Sequence, residues 1–419
     1  MNPPLIGRWR VWSLPVTFSI LDQGLVSGGH FGLSVLLARW VSPAEYGVFA
    51  VTFSLFLLLS GLHVALILEP MNVLGAVRPA EALGWYLGSL VHAHVLLTIP
   101  LSLAVTVAAF VLRSRNATLA GALAGLAAAL PFLLLQWLLR QACYLRTRPD
   151  LAARGSVVYV STLAVCLGLV AYRPTVVSPL MAAFPSLALA SLAASAVLWR
   201  PLGMTLSTQA FLDREVLASH WSYGRWIVAA SLAHNAGNAL YLPLVAAILG
   251  LASSGALKAL LNLGLPLQQL LTALSLLALP WVSRQAAARG QAHSRRASVS
   301  LVLVFVGTAV AYGAVLVGFG GRLLGLLYGS GSYSALGGNV LLVALAGVAA
   351  AAAQALGLAL RALGRPQVIL WSKLAVAVFL LAGGTVLVEK SGLHGALMGI
   401  VLGHACETVV LATFLRSRR

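Results

Sequence analysis

The sequence predicts an all-α, polytopic membrane protein of about twelve transmembrane helices in two six-helix lobes. Three observations carry that expectation. Hydrophobic residues make up 60% of the 419 and charged residues only 9%, with a mean hydropathy of +0.95, too few charges to clothe a water-soluble domain. Apolar runs long enough to cross a hydrocarbon core of ~30 Å recur from end to end with short polar breaks between them. The basic residues collect in every second break, the pattern that places those breaks in the cytoplasm.

In order along the chain, spans are expected at 14–38, 46–68, 83–112, 118–141, 154–171, 177–198, 225–250, 256–280, 298–319, 338–360, 367–387 and 394–415, broken where charge, Pro and Gly cluster. Arg8 and Arg10 precede the first run without a small-residue cleavage site, so that run is expected to stay as a span. With the N-terminus cytoplasmic, nineteen basic residues fall on the cytoplasmic side, and only Arg39, Arg113, Arg115, Arg173, Arg322 and Lys390 fall on the other. Both termini are therefore placed in the cytoplasm. This topology accounts for the net charge of +18, and no nucleic-acid partner is expected. Cys143, Cys166 and Cys406 lie far apart and suggest neither a disulfide framework nor a zinc site.

The longest connection, 199–224, falls at the midpoint, and its stretch from Gln209 to Trp221 reads as a short amphipathic helix on the inner membrane surface. It would link an N-terminal lobe, 1–198, to a C-terminal lobe, 225–419. Within the first span, Gln23, Ser27, His30 and Ser34 share one helical face. The seventh carries Ser231, His234, Asn235, Asn238 and Tyr241 in the same manner. A shift of 208 residues lays Gln23 on Ser231, Ser27 on Asn235, His30 on Asn238 and Gly47 on Gly255. Six spans per copy give parallel repeats. The two stripes either line a shared interior or serve as hydrogen-bonding glue between helices.

Ionisable groups at membrane depth are the next candidates, because a charge there needs water or a partner. Asp22 and Glu407 are deep enough to bind a coupling ion. Lys373 either pairs with Glu407 or snorkels to the interface. Arg140 and Arg154 are placed to hold phosphate at a cytoplasmic entrance, or they simply mark topology. Lys258, Asn262 and Gln269 share a face of the eighth span, with Lys258 close to its outer end. His92 and His94 point to different sides of one helix and make a poor metal site. No catalytic triad, HExxH or Walker loop stands in a credible setting; no cofactor is expected, and the sequence points away from an ATPase or hydrolase.

The stretch Leu36-Leu37-Ala38-Arg39-Trp40-Val41-Ser42-Pro43-Ala44-Glu45-Tyr46-Gly47-Val48-Phe49-Ala50 resembles a signature of bacterial polysaccharide-biosynthesis membrane proteins. These are lipid-linked oligosaccharide flippases of the multidrug/oligosaccharidyl-lipid/polysaccharide (MOP) exporter superfamily. Asp22 to Gly29, Leu68 to Met71 and the turn Leu360 to Pro366 are similar to the same family. The resemblance implies a two-lobed, MATE-like transporter of the bacterial inner membrane that opens a central cavity to either side in turn. Its implied cargo is an undecaprenyl-pyrophosphate-linked oligosaccharide, flipped to the periplasmic leaflet for exopolysaccharide, capsule or O-antigen assembly, with polymerase and other assembly proteins as partners. An ion-coupled MATE-type exporter of small molecules shares the fold and is the alternative. A membrane-embedded polymerase is a further one, which the absence of a large outer loop disfavours.

Overall fold

The computed structural model describes residues 5–172, 178–205, 213–329, 333–362 and 366–416, with side chains described outside 5–16, 226, 229–239, 276–297, 334, 361–362, 366 and 416. Throughout these residues the regular structure is helical: α1 Leu5–Trp40, α2 Pro43–His63, α3 Glu69–Leu74, α4 Leu83–Leu112, α5 Ala117–Leu145, α6 Pro149–Tyr172, α7 Pro179–Trp199, α8 Arg214–Ala239, α9 Tyr241–Leu249, α10 Leu251–Asn262, α11 Leu265–Tyr328, α12 Val340–Ala362 and α13 Pro366–Arg416. Eight helices among the described residues are long and apolar enough to cross a membrane. This is an all-α polytopic membrane fold.

Five expected spans are drawn differently from the expectation. The seventh is shared between two helices, α8 and α9, which meet at Leu240. From Arg214 onward, the expected surface helix is continuous with α8 rather than separate from it. The eighth and ninth share the 64-residue α11, but this is not a straight rod. The Tyr312 hydroxyl donates to the Leu263 carbonyl at 2.6 Å, whereas 47 residues of straight helix would hold the ends about 70 Å apart at ~1.5 Å per residue. The chain doubles back. The last two spans are likewise fused in α13, where Gly392 (φ 58°, ψ −136°) breaks the helical path in a conformation that glycine adopts without steric cost.

The chain divides into two compact units. One comprises 1–41 with 55–232, and the other 42–54 with 233–419. The first half of α2 thus packs with the later part of the chain. Its start is well specified locally: the Ser42 amide donates to the Glu45 carboxylate at 2.9 Å, the Glu45 amide to the Ser42 hydroxyl at 3.3 Å, and Pro43 takes the first helical position. This is a capping box with proline where a free amide would be unsatisfied anyway. At Gly47 a Cβ would lie 1.7 Å from the Leu251 carbonyl oxygen, and at Gly255 one would lie 2.6 Å from that of Pro43. The two glycines matched by the 208-residue shift therefore pack backbone to backbone, and α2 and α10 begin that same distance apart in sequence.

At the other end of α2 the helix widens into a π-turn, Val64–Leu68. Pro70 follows and has no N–H to offer the Leu66 carbonyl. His220 of α8 supplies one instead, through Nδ1 at 3.1 Å, while its Nε2 lies 2.7 Å from the Tyr86 hydroxyl. That pairing sets the ring as Nδ1–H donor and Nε2 acceptor. Burial is the leading cause that lowers the His220 pKa below its ordinary value, with the nearby Arg78 acting in the same direction and the Leu66 bond opposing both.

Candidate functional site

In the first unit the site is built on Asp22. A carboxylate buried among apolar neighbours needs hydrogen-bonding partners, and here neighbouring helices supply them. Asp22 is fully buried. Arg140 of α5 donates through Nε to both carboxylate oxygens, at 2.9 and 2.8 Å, and through Nη2 to Gln23 Oε1 at 2.7 Å. Tyr144, one turn further along α5, donates to Oδ2, and Ser156 of α6 to Oδ1. Two helices thus supply three side chains to one carboxylate on a third. Of the remaining stripe residues, His30 meets the Tyr159 hydroxyl at 2.9 Å with the rings edge to face, Ser34 is buried, and Gln23 donates to Ser27 at 3.4 Å. Arg154 is exposed and stands apart from this cluster in its contacts.

Beside the cluster, α1 and α6 enclose a groove of about 490 Å³, lined by Gly24, Gly28, Gly32, Leu36, Val160 and Gly168 among others. Its character follows from the glycines. A Cβ built at Gly24, Gly28, Gly32 or Gly168 would meet nothing within 4 Å, so the missing side chains leave open space rather than a close backbone contact. The groove is apolar, and the charged cluster lies next to one end through Gln23 and Gly24.

The second unit contains two polar arrangements. Glu407, almost wholly buried, accepts from Lys373 Nζ at 2.7 Å and lies 3.4 Å from His404 Nδ1, so of the two readings for Lys373 the paired one holds. Buried Asn262 donates through Nδ2 to the hydroxyls of Tyr46 and Tyr328, both at 3.0 Å. Lys258 lies 5.5 Å from the Phe53 ring centroid, a cation–π distance. Gln269 is exposed. Tyr241 is buried against Gly384 and Gly399 and donates to the Ala396 carbonyl at 2.9 Å, which makes it a packing residue. The side chains of Ser231, His234, Asn235 and Asn238 lie outside the described residues. The structure therefore brings Asp22 together with Arg140 and Glu407 with Lys373, and leaves Arg154 exposed.

Sequence reasoning missed the donors Tyr144 and Ser156, although Tyr144 stands four residues from Arg140 and so on the same helical face. It also missed the partner of His94. That histidine meets His63 of α2 at 3.1 Å in a fully buried pair, while no group of three metal-ligating side chains occurs among the described residues.

Solved structures share this fold. A multidrug resistance MATE family transporter of the MOP superfamily superposes with a TM-score of 0.80 at 12% identity, covering 95% of this chain and 97% of its own. The eukaryotic MATE transporter AtDTX14 gives 0.66 at 17% identity, covering 97% and 96%. A MOP superfamily transporter from Pyrococcus furiosus, described as having a binding pocket of reversed polarity that suggests a different function, gives 0.63 at 13% identity, covering 96% and 93%. No family model and no curated protein matches the chain.

Proposed function

We propose that the protein is a secondary transporter that moves amphiphilic small molecules across the membrane by alternating access, coupled to an ion gradient. The observation that carries this reading is the buried Asp22 carboxylate beside an apolar groove, in a fold shared with MATE transporters described as multidrug resistance proteins. Apolar packing is often as stabilising as a buried ion pair, so stability alone does not explain this one. On this reading Asp22 binds the coupling ion and releases Arg140, while the groove receives the apolar body of the cargo. Glu407 with Lys373 is a second buried carboxylate–cation pair, in the other unit.

A second reading has its own support. The signature at residues 36–50 favours a flippase for undecaprenyl-pyrophosphate-linked oligosaccharide, and a groove without polar lining suits a polyprenyl chain equally well. One reconstitution separates the two. Protein in liposomes with an imposed proton or sodium gradient is offered an amphiphilic cationic dye and, separately, a fluorescent lipid-linked oligosaccharide. Gradient-driven dye accumulation that disappears in Asp22→Asn supports the exporter. Gradient-independent leaflet exchange of the oligosaccharide, without dye movement, supports the flippase. Growth of the sugar chain would replace both with a polymerase. Gly28→Leu, which fills the groove without a backbone clash, is expected to slow transport of whichever cargo is carried.

A further inference from the structure

At the junction of α5 and α6 the chain makes an uncommon turn. The Arg148 amide donates to the Cys143 carbonyl at 2.8 Å and the Thr147 amide to the Tyr144 carbonyl at 2.9 Å, the paired bonds of a Schellman motif. The position between them requires a left-handed backbone and is usually glycine. Here it is Thr147, with φ 54°. A β-branched residue in that region costs about 1–2 kcal/mol, and the turn holds it beside two arginines.

Arg146, Thr147 and Arg148 line a cavity of about 360 Å³, closed by Ala80, Leu151 and Pro201. Three connecting segments therefore meet there, and they carry Arg78, Arg146, Arg148 and Arg200 against two carboxylates, Glu81 and Asp150. Arg148 is held in a two-pronged pair with Asp150, both bonds 2.8 Å. Arg146 differs. Its Nε is buried and has no acceptor among the described residues, and a buried donor left in that state costs about 1–3 kcal/mol. Arg146 also lines this cavity beside Arg148, and guanidinium groups around a polar cavity suit an oxyanion from outside the chain.

The location decides which oxyanion. The cavity lies between the end of one helix long and apolar enough to cross a membrane and the start of the next, where a membrane interface is expected, and on the side that the arginine distribution assigns to the cytoplasm. Leu83, Leu145 and Leu151 supply an apolar flank. Basic pockets between transmembrane helices on that side take anionic headgroups. We infer that this cavity binds the phosphodiester headgroup of an anionic phospholipid, with Arg146 as the principal donor and Arg148 competing for the ligand against its own partner, Asp150. The inference is independent of any cargo.

Native mass spectrometry of the delipidated, full-length protein in detergent tests it, with phosphatidylglycerol, phosphatidylcholine and inorganic phosphate as probes. Wild type is expected to bind phosphatidylglycerol about tenfold more tightly than phosphatidylcholine, and Arg146→Gln to lose that preference, as removal of a charge-assisted fork should. Arg115→Gln, at the opposite end of α5, controls for general loss of positive charge and is expected to keep the preference. Asp150→Asn frees Arg148 and is expected to tighten phosphatidylglycerol binding about threefold, a gain that misfolding does not imitate. Three results would overturn the inference: an undiminished preference in Arg146→Gln, weaker binding in Asp150→Asn, or inorganic phosphate binding as tightly as the lipid and displacing it.

Discussion

The two membrane-depth carboxylates are held in different ways. Asp22 is met by Arg140, Tyr144 and Ser156, donors drawn from two other helices and separated from it by 118 to 134 residues of sequence. Glu407 is met by Lys373 and His404, both on its own helix α13, with Lys373 26% and His404 23% exposed. The first arrangement closes the tertiary structure around a charge, whereas the second ties two parts of one helix across the Gly392 break. A carboxylate whose donors all come from elsewhere cannot lose one without strain on three helices. One served by partly exposed partners on its own helix is less tightly enclosed.

The largest expected effect breaks this contrast directly. Arg140→Ala leaves Asp22 buried and unpaired, and thermal unfolding in detergent should show a loss of about 3–5 kcal/mol. A loss under 1 kcal/mol would mean that the tyrosine and serine suffice. Next, the double variant Asp22→Asn/Arg140→Met removes both charges, and its destabilisation should be well below that of Arg140→Ala, with a coupling of about 1–3 kcal/mol in the double-mutant cycle. Additive effects would mean that the two groups do not act as a pair. Lys373→Ala should cost less than Arg140→Ala in the same assay, because Lys373 is itself more exposed than Arg140 and His404 remains beside Glu407; a cost equal to that of Arg140→Ala would erase the distinction.

The smallest expected effect concerns pH. His220 is neutral in its bonded form and its pKa is lowered by burial, so the unfolded chain binds a proton more readily than the folded one. Its contribution is fully present above the ordinary histidine value of about 6.5 and declines as the pH falls below it. Unfolding midpoints between pH 5 and 8 should therefore show a decline on the acid side that is smaller in His220→Gln. Equal profiles for the two proteins would remove His220 from the account.

Much of the fold is legible in the sequence because membrane spans announce themselves by length and apolarity. The expected span 83–112 coincides with α4. The breaks were harder to read. Nothing in the charge-rich stretch around Arg284 to Arg296 distinguishes a non-helical loop from a helical path that doubles back, since both are polar. At the site, expected depth in the membrane singled out Asp22, Glu407 and Lys373 as residues in need of partners, but depth does not say which basic group answers which acid. Lys373 and Glu407 could be matched by their shared depth. Arg140 could not be matched to Asp22, because it stood near a span end and read equally well as a topology marker.

The signature around Tyr46 teaches a further point. Its Ser42 and Glu45 cap a helix, its Tyr46 accepts a hydrogen bond from Asn262, and its Gly47 makes room for the Leu251 backbone. These four residues have packing roles within the second unit, so this part of the motif reports architecture as well as any cargo.

Residues 42–54 also set a limit on how the chain can be divided. Cut at the midpoint, the later fragment would lose the hydroxyl that answers Asn262 and would bare the helix surface around Gly255. A gene for that fragment alone would encode an unfinished body, one that folds only by borrowing this short helical insert from a companion polypeptide supplied in trans.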